Sequence, residues 1–357
     1  MLNRSIERRW IFTMFFFSSS LDRWDEERAA MDDAAKSVEK VELGASLAFE
    51  EAPPDAGLGV LQQLVLKHCS HATEFYSSPG PSREDFAFDG ELLTFSSAIS
   101  TETPESDLVR ARVIESKRRR AAVVVLPHWS APTWAYYGFI RHFARLGLTA
   151  VEVALPYHGE RTREGSLIAD HFLSANLGRT IRSVRQAVVD TKDIVTWLRQ
   201  RGHDHVAVIG LSLGSCIAGL VGAHDPRVRC AALLLTAGDF AEVTWTGRAT
   251  HHIRRAVETK MTLDQLRSVW SIISTETFAR ELARPNYSTL IISGTRDTVV
   301  RPYLTRRFVE QLKSCDANFG WTRLGCGHYS LARAPFSVLA FVRLLYFFHR
   351  CGFFTST

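Results

Sequence analysis

Cysteine is sparse in this chain of 357 residues, and long uninterrupted apolar runs are missing from it. Its six cysteines, Cys69, Cys216, Cys230, Cys315, Cys326 and Cys351, are scattered, with no Cys-x-x-Cys pair and no framework spacing. That excludes a disulfide scaffold and argues against a thiol metal centre; reduced thiols in a cytoplasmic protein are the expectation. Excess charge is also lacking. A formal net charge of +5 is slight for this length and gives no reason to expect a nucleic-acid partner. The local run Lys117-Arg118-Arg119-Arg120 reads as a solvated loop ahead of a buried strand. The apolar stretch from Phe336 to Phe354 is broken by Arg343, His349 and Arg350, so it reads as a last core-facing helix and not as a membrane span. There is no internal repeat and no low-complexity tract.

The amino terminus departs from this pattern. Arg4, Arg8 and Arg9 precede Trp10–Phe17 and then Ser18–Ser20, which has the outline of a signal peptide. The apolar part is short and no small-x-small cleavage site follows it. Secretion, an N-terminal membrane anchor and an over-extended start therefore stay open beside the cytoplasmic expectation.

What is present is a core of ordinary size, 46% hydrophobic, enough for one large domain or two small ones. Residues 1–85 read as a partly mobile extension packed on a main domain, with an amphipathic helix from Leu58 to about Tyr76. Alternating stretches at Leu92–Ile99 and Leu108–Ile114 predict antiparallel edge strands. A fully apolar run follows at Ala121–Leu126, then further strand candidates at Thr149–Leu155, Val206–Gly210, Ala231–Thr236 and Thr289–Gly294, with Phe319–Leu324 closing the series. Helical patterns lie between them at Tyr137–Leu146, Arg179–Arg201 and Pro302–Lys313. Two-sided apolar strands alternating with helices mean an α/β fold, a mostly parallel sheet covered on both faces. The segment at about 239–284 breaks the alternation and is expected to be a helical cap over the strand ends.

The most informative stretch is Val206-Ala207-Val208-Ile209-Gly210-Leu211-Ser212-Leu213-Gly214. A β-branched strand runs into Gly-x-Ser-x-Gly and then into small and apolar helix residues. Such a turn exposes a serine hydroxyl at the carboxyl edge of a sheet and aims a helix N-terminus at it. Serine is a poor nucleophile alone and needs a histidine base oriented by a carboxylate. His328, one of thirteen histidines, follows the last strand in Leu324-Gly325-Cys326-Gly327-His328. Asp297 follows the strand before it. Asp239 also follows a strand, but its place at the mouth of the insertion suits a helix cap better. For the oxyanion of an acyl-transfer intermediate, the main-chain N–H of Leu213 and that of Trp129 are expected, with Ser130 as the alternative register. The loops holding His128, Tyr157 and His158, together with Trp245 from the insertion, are expected at the substrate rim.

Taken together these residues resemble the α/β-hydrolase superfamily from about Phe86 to the carboxyl terminus. The nearest look is to serine esterases and to the dienelactone-hydrolase or acyl-peptidase-like branch. The resemblance implies a Ser212–Asp297–His328 triad, an oxyanion hole after the first parallel strand, and a cap between the sixth and seventh strands. Trp129 stands where many members carry glycine, which implies a bulkier, narrower entrance. The expected activity is hydrolysis of small-molecule carboxylic esters or thioesters with no metal and no organic cofactor. An amide hydrolase on the same residues, and a non-catalytic binding protein of the same fold, are the alternatives; oligomeric state is left open.

Overall fold

The computed structural model describes residues 4–116, 120–166 and 168–354, with side chains from residue 19 onward. Nine strands form one sheet in the order β1-β2-β3-β5-β4-β6-β7-β8-β9. They are β1 (Ala87–Phe88), β2 (Leu92–Ser96), β3 (Leu108–Ile114), β4 (Ala121–Leu126), β5 (Thr149–Ala154), β6 (His205–Leu211), β7 (Val228–Leu234), β8 (Ser288–Gly294) and β9 (Phe319–Leu324). The pairs β1–β2, β2–β3 and β3–β5 are antiparallel, and all pairs from β5–β4 to β8–β9 are parallel. The mostly parallel α/β architecture expected from the sequence is what forms.

The reason is visible in β4. Ala122, Val124 and Leu126 enter the core on one face, while Ala121, Val123 and Val125 enter the core on the other. A strand apolar on both sides is stable only between two helical layers. One layer contains α3 (Tyr137–Arg145) and α10 (Phe336–Arg350). The other contains α4 (Leu177–Gln200), α5 (Leu213–His224) and α9 (Pro302–Ser314).

Two further parts cover the carboxyl edge of the sheet. Helices α6 (Phe240–Thr246), α7 (His251–Val257) and α8 (Leu263–Trp270) lie between β7 and β8. From the amino-terminal side, α2 (Leu58–Ser70) packs on this insertion, where Gln62 donates to the Ser268 hydroxyl at 2.7 Å and Tyr76 to the Ile272 carbonyl at 2.7 Å. The long α1 (Arg4–Ala34) crosses to the insertion and to the loops after β8 and β9. The apolar stretch Trp10–Phe17 falls in the first half of α1, so its expected role as leader or anchor lies outside the described side chains. Most of the basic run Lys117–Arg120 likewise lies outside the described residues. No helix among the described residues is long and apolar enough to cross a membrane.

Candidate active site

Ser212 sits between β6 and α5 with φ 51° and ψ −116°, a conformation that a non-glycine residue holds only under constraint from its neighbours. Its N–H donates to the Leu234 carbonyl at 2.9 Å. The flanking glycines are required by close backbone approach. A Cβ on Gly210 would lie 2.0 Å from the Gly214 carbonyl oxygen, and one on Gly214 would lie 2.3 Å from that of Leu126.

The loops after β8 and β9 bring two further side chains to this turn. His328 Nε2 lies 2.9 Å from Ser212 Oγ, and His328 Nδ1 lies 2.8 Å from Asp297 Oδ2. Asp297 is buried, and its other oxygen accepts the N–H groups of Val299 and Val300, each at 2.8 Å. Burial works against charging His328, but Asp297 beside it, with Asp25 and Asp32 farther off, more than compensates and raises its pKa. Burial pushes the Cys326 thiol up to about 12, which keeps it protonated. Asp239 takes no part in this contact. It caps α6 by accepting the Glu242 N–H at 2.9 Å, and its other oxygen pairs with Arg267 and Arg307.

The loop after β4 forms the facing wall. The Ser130 N–H donates to His158 Nε2 at 3.0 Å, so it is not free to hold a substrate oxygen. Among the described residues no hydrogen bond occupies the Trp129 N–H. Leu213 is the first residue of α5, where N–H groups have no partner within the helix. The Trp129 indole is fixed by donation to the Ala169 carbonyl at 2.9 Å, by stacking on His252, and by the Lys36 ammonium 3.6 Å from its ring centre. His128 also lines this wall, 2.5 Å from the Tyr136 hydroxyl; burial, with His328 adding to it, pushes its pKa down to about 4.

A cavity of about 940 Å³ opens over Ser212. Toward α3 and α10 it is lined by Phe139, Phe341 and Leu344, and toward α6 by Phe240, Val243 and Thr244. Trp24, Arg28, Asp32 and Lys36 complete its wall from α1 and the turn after it. Of the expected rim residues only His128 lines this space; Tyr157, His158 and Trp245 do not. Tyr157 and His158 are buried beneath the rim instead. His158 donates Nδ1–H to the Pro156 carbonyl at 2.8 Å, and burial pushes its pKa down to about 3, so it is a neutral brace for the Trp129–Ser130 turn. Arg161 of the same loop is also buried, pairing with Asp190 of α4 at 2.8 Å. Trp245 lies beneath the Arg254 guanidinium on the insertion, and Trp270 is fully buried in the core.

The contribution of α1 gave little signal in hydrophobic periodicity, because apart from a small apolar contact at Ala29 its docking rests on Asp22, Asp25, Asp32 and Asp33. No group of His, Cys, Asp and Glu among the described residues could hold a metal ion.

No family model matches the chain. Two uncharacterized proteins of Mycobacterium tuberculosis, from two strains, are each 31% identical over 99 residues, a match covering 28% of this chain and about a quarter, 24%, of theirs. An acetyl xylan esterase from a Thermoanaerobacterium species superposes with a TM-score of 0.57 at 15% identity, covering 81% of this chain and 98% of the other. A second acetyl xylan esterase, from a Paenibacillus species, gives 0.56 at 13%, covering 84% and 98%. An acylaminoacyl peptidase of Pyrococcus horikoshii gives 0.57 at 12%, with 73% of this chain on 41% of that one. At such identities the likeness is one of architecture, and together with the sheet order and the turn at Ser212 it identifies the α/β-hydrolase fold.

Proposed function

We propose that the chain is a serine hydrolase that cleaves carboxylic esters or thioesters through an acyl-enzyme. The observation that carries this reading is the unbroken hydrogen-bonded series from Ser212 Oγ through His328 to Asp297. His328 Nε2 takes the Ser212 proton as Oγ attacks the carbonyl carbon. Asp297 fixes the tautomer by accepting from Nδ1 and stabilises the imidazolium. The oxyanion is held by the N–H groups of Leu213 and Trp129, aimed by the α5 N-terminus and the braced loop after β4. The imidazolium returns its proton to the departing alkoxide or thiolate. Water then attacks the acyl carbon, His328 takes the water's proton and passes it to Ser212 Oγ as the acyl–oxygen bond breaks and the carboxylic acid leaves.

The cavity supports an apolar acyl group. The similar acetyl xylan esterases act, by name, on a polysaccharide ester; sugar hydroxyls need polar partners, which the wall of Phe139, Phe240, Val243, Phe341 and Leu344 does not offer, whereas Arg28, Asp32 and Lys36 stand on the α1 side of the cavity. Turnover of p-nitrophenyl butyrate by the purified chain tests the reading. It is expected to fall by a factor on the order of 10⁶ in Ser212→Ala, down to what binding and the oxyanion hole supply. Activity retained in that variant would refute it.

A further inference from the structure

The carboxylate of Asp25 on α1 reaches the loop that carries His328. Asp25 is 2% exposed, and its Oδ1 accepts the N–H groups of Tyr329 at 2.7 Å and Ser330 at 3.0 Å, the two residues after His328. On the other side of His328, a Cβ at Gly327 would fall 2.6 Å from Asp25 Cγ and 2.7 Å from Oδ2. Glycine is therefore needed there so that the carboxylate can seat, and the histidine loop is gripped on both sides of the imidazole. Asp32, seven residues on and so on the same helix face, accepts the Tyr329 hydroxyl at 2.6 Å. The helix is held in this position by Glu26 with Arg248 (2.6 Å) and Asp33 with His252 Nδ1 (2.7 Å), while the pair of Asp22 with Arg296 (3.2 Å) is solvent-exposed and contributes little.

The second Asp25 oxygen, Oδ2, is buried with no hydrogen-bond partner among the described residues. An uncompensated carboxylate oxygen is costly in the resting state. Positive charge appearing on a neighbouring imidazole removes part of that cost, so the interaction is stronger when His328 is charged than when it is neutral. Among the described residues the charged and titratable groups facing His328 are Asp297 from the loop after β8, Asp25 and Asp32 from α1, His128 from the loop after β4, and Tyr329 from its own loop, with Arg28 and Lys36 farther along the same cavity. His128 is held neutral by burial, so the carboxylates dominate.

We propose that Asp25 is a positioning residue for His328, fixing its loop and, with Asp32, adding the negative charge that stabilises its imidazolium, so that α1 completes the site. Only the kinetic consequence rests on the hydrolase reading.

The full chain is compared with Asp25→Asn, which keeps shape and an acceptor but loses the charge, with Asp32→Asn, and with Asp22→Asn as a control on an exposed pair. The His328 ring is titrated by NMR with ¹³C-labelled imidazoles and assigned by its loss in His328→Gln. Its midpoint is expected to fall by about one pH unit in Asp25→Asn, by less in Asp32→Asn, and not in Asp22→Asn. In parallel, kcat on an ester falls ~10-fold in Asp25→Asn at unchanged KM. Should Asp25→Asn fail to fold, Asp32→Asn alone carries the test. A midpoint unmoved in every folded variant of Asp25 and Asp32 overturns the proposal. A midpoint that moves in a protein without esterase activity supports this role and overturns the hydrolase reading instead.

Discussion

Acyl-chain length is the variable to which the cavity should respond most steeply. At about 940 Å³ it lies at the upper end of the volumes that small-molecule sites show, and its walls toward α3 and α10 are Phe139, Phe341 and Leu344. Each methylene moved from water into such a wall contributes ~0.8 kcal/mol, which is about fourfold in kcat/KM. From acetyl to hexanoyl, four methylenes, the ceiling is ~3 kcal/mol or ~200-fold, reduced by the cost of ordering the chain. A gain of about 20- to 200-fold is therefore expected across that series. Ser337 lines the cavity in the first turn of α10 and is half-buried, so Ser337→Trp puts an indole into this space without opening the core. The assay is initial rates on p-nitrophenyl esters from acetyl to dodecanoyl, below KM, for wild type and Ser337→Trp. In the variant acetyl should change by less than about threefold while the gain with length is lost from hexanoyl upward. A flat wild-type profile, or an equal loss at every length in the variant, would show that the acyl group does not occupy this space.

Other outcomes follow from the same geometry. Asp297→Asn should cut turnover by ~10³ or more with KM little changed, whereas Asp239→Asn should cost under ~10-fold in turnover and lower the melting temperature, because it loosens the α6 cap and its arginine pairs. Since the base must be neutral and the pKa of His328 is raised, the acid limb of kcat/KM should have its midpoint above the ordinary histidine value of ~6.5; a midpoint below that value would contradict it. His328 stabilises the fold below its unfolded pKa, and that contribution is lost as pH rises through its folded pKa. The buried neutral His128, His158 and His224, at about 4, 3 and 3, act in the opposite sense. They should make the chain lose stability as pH falls below ~6.5, so thermal melts from pH 8 to pH 4 should decline on the acid side and decline less in His224→Phe. Gly214→Ala should abolish folding or activity, since its methyl would meet the carbonyl oxygens of Leu126 and Pro127; a fully active variant would mean the turn is looser than described.

The sheet was legible because the inner parallel strands are short and largely apolar on both faces, and the sequence-derived ends of Phe319–Leu324 and Ala121–Leu126 coincide with β9 and β4. The turn at Ser212 was legible for a different reason: Gly210 and Gly214 are forced by backbone contacts made within a few residues or with the neighbouring strand. Ser212, Asp297 and His328 meet because each follows a strand, and strand ends share one edge. What could not be read depends on single polar contacts between distant segments. Asp25 touches Tyr329 across 304 positions, and no periodicity records such a pair. Trp245 and Trp270 both stand in the 239–284 insertion, and only packing decides that Trp270 belongs to the core under Phe240. Tyr157 and His158 stand at a strand end, as rim residues do, but the loop turns them inward to support Ser130 and the core.

The central claim, that Ser212 is the nucleophile of a hydrolase, is tested most directly by a covalent probe. The wild-type chain is treated with a fluorophosphonate, and the adduct is mapped by peptide mass spectrometry alongside Ser212→Ala. A single phosphonyl adduct on Ser212 in wild type, with none anywhere in the variant, is expected. No adduct in the folded wild type, or an equal adduct in Ser212→Ala, would contradict it.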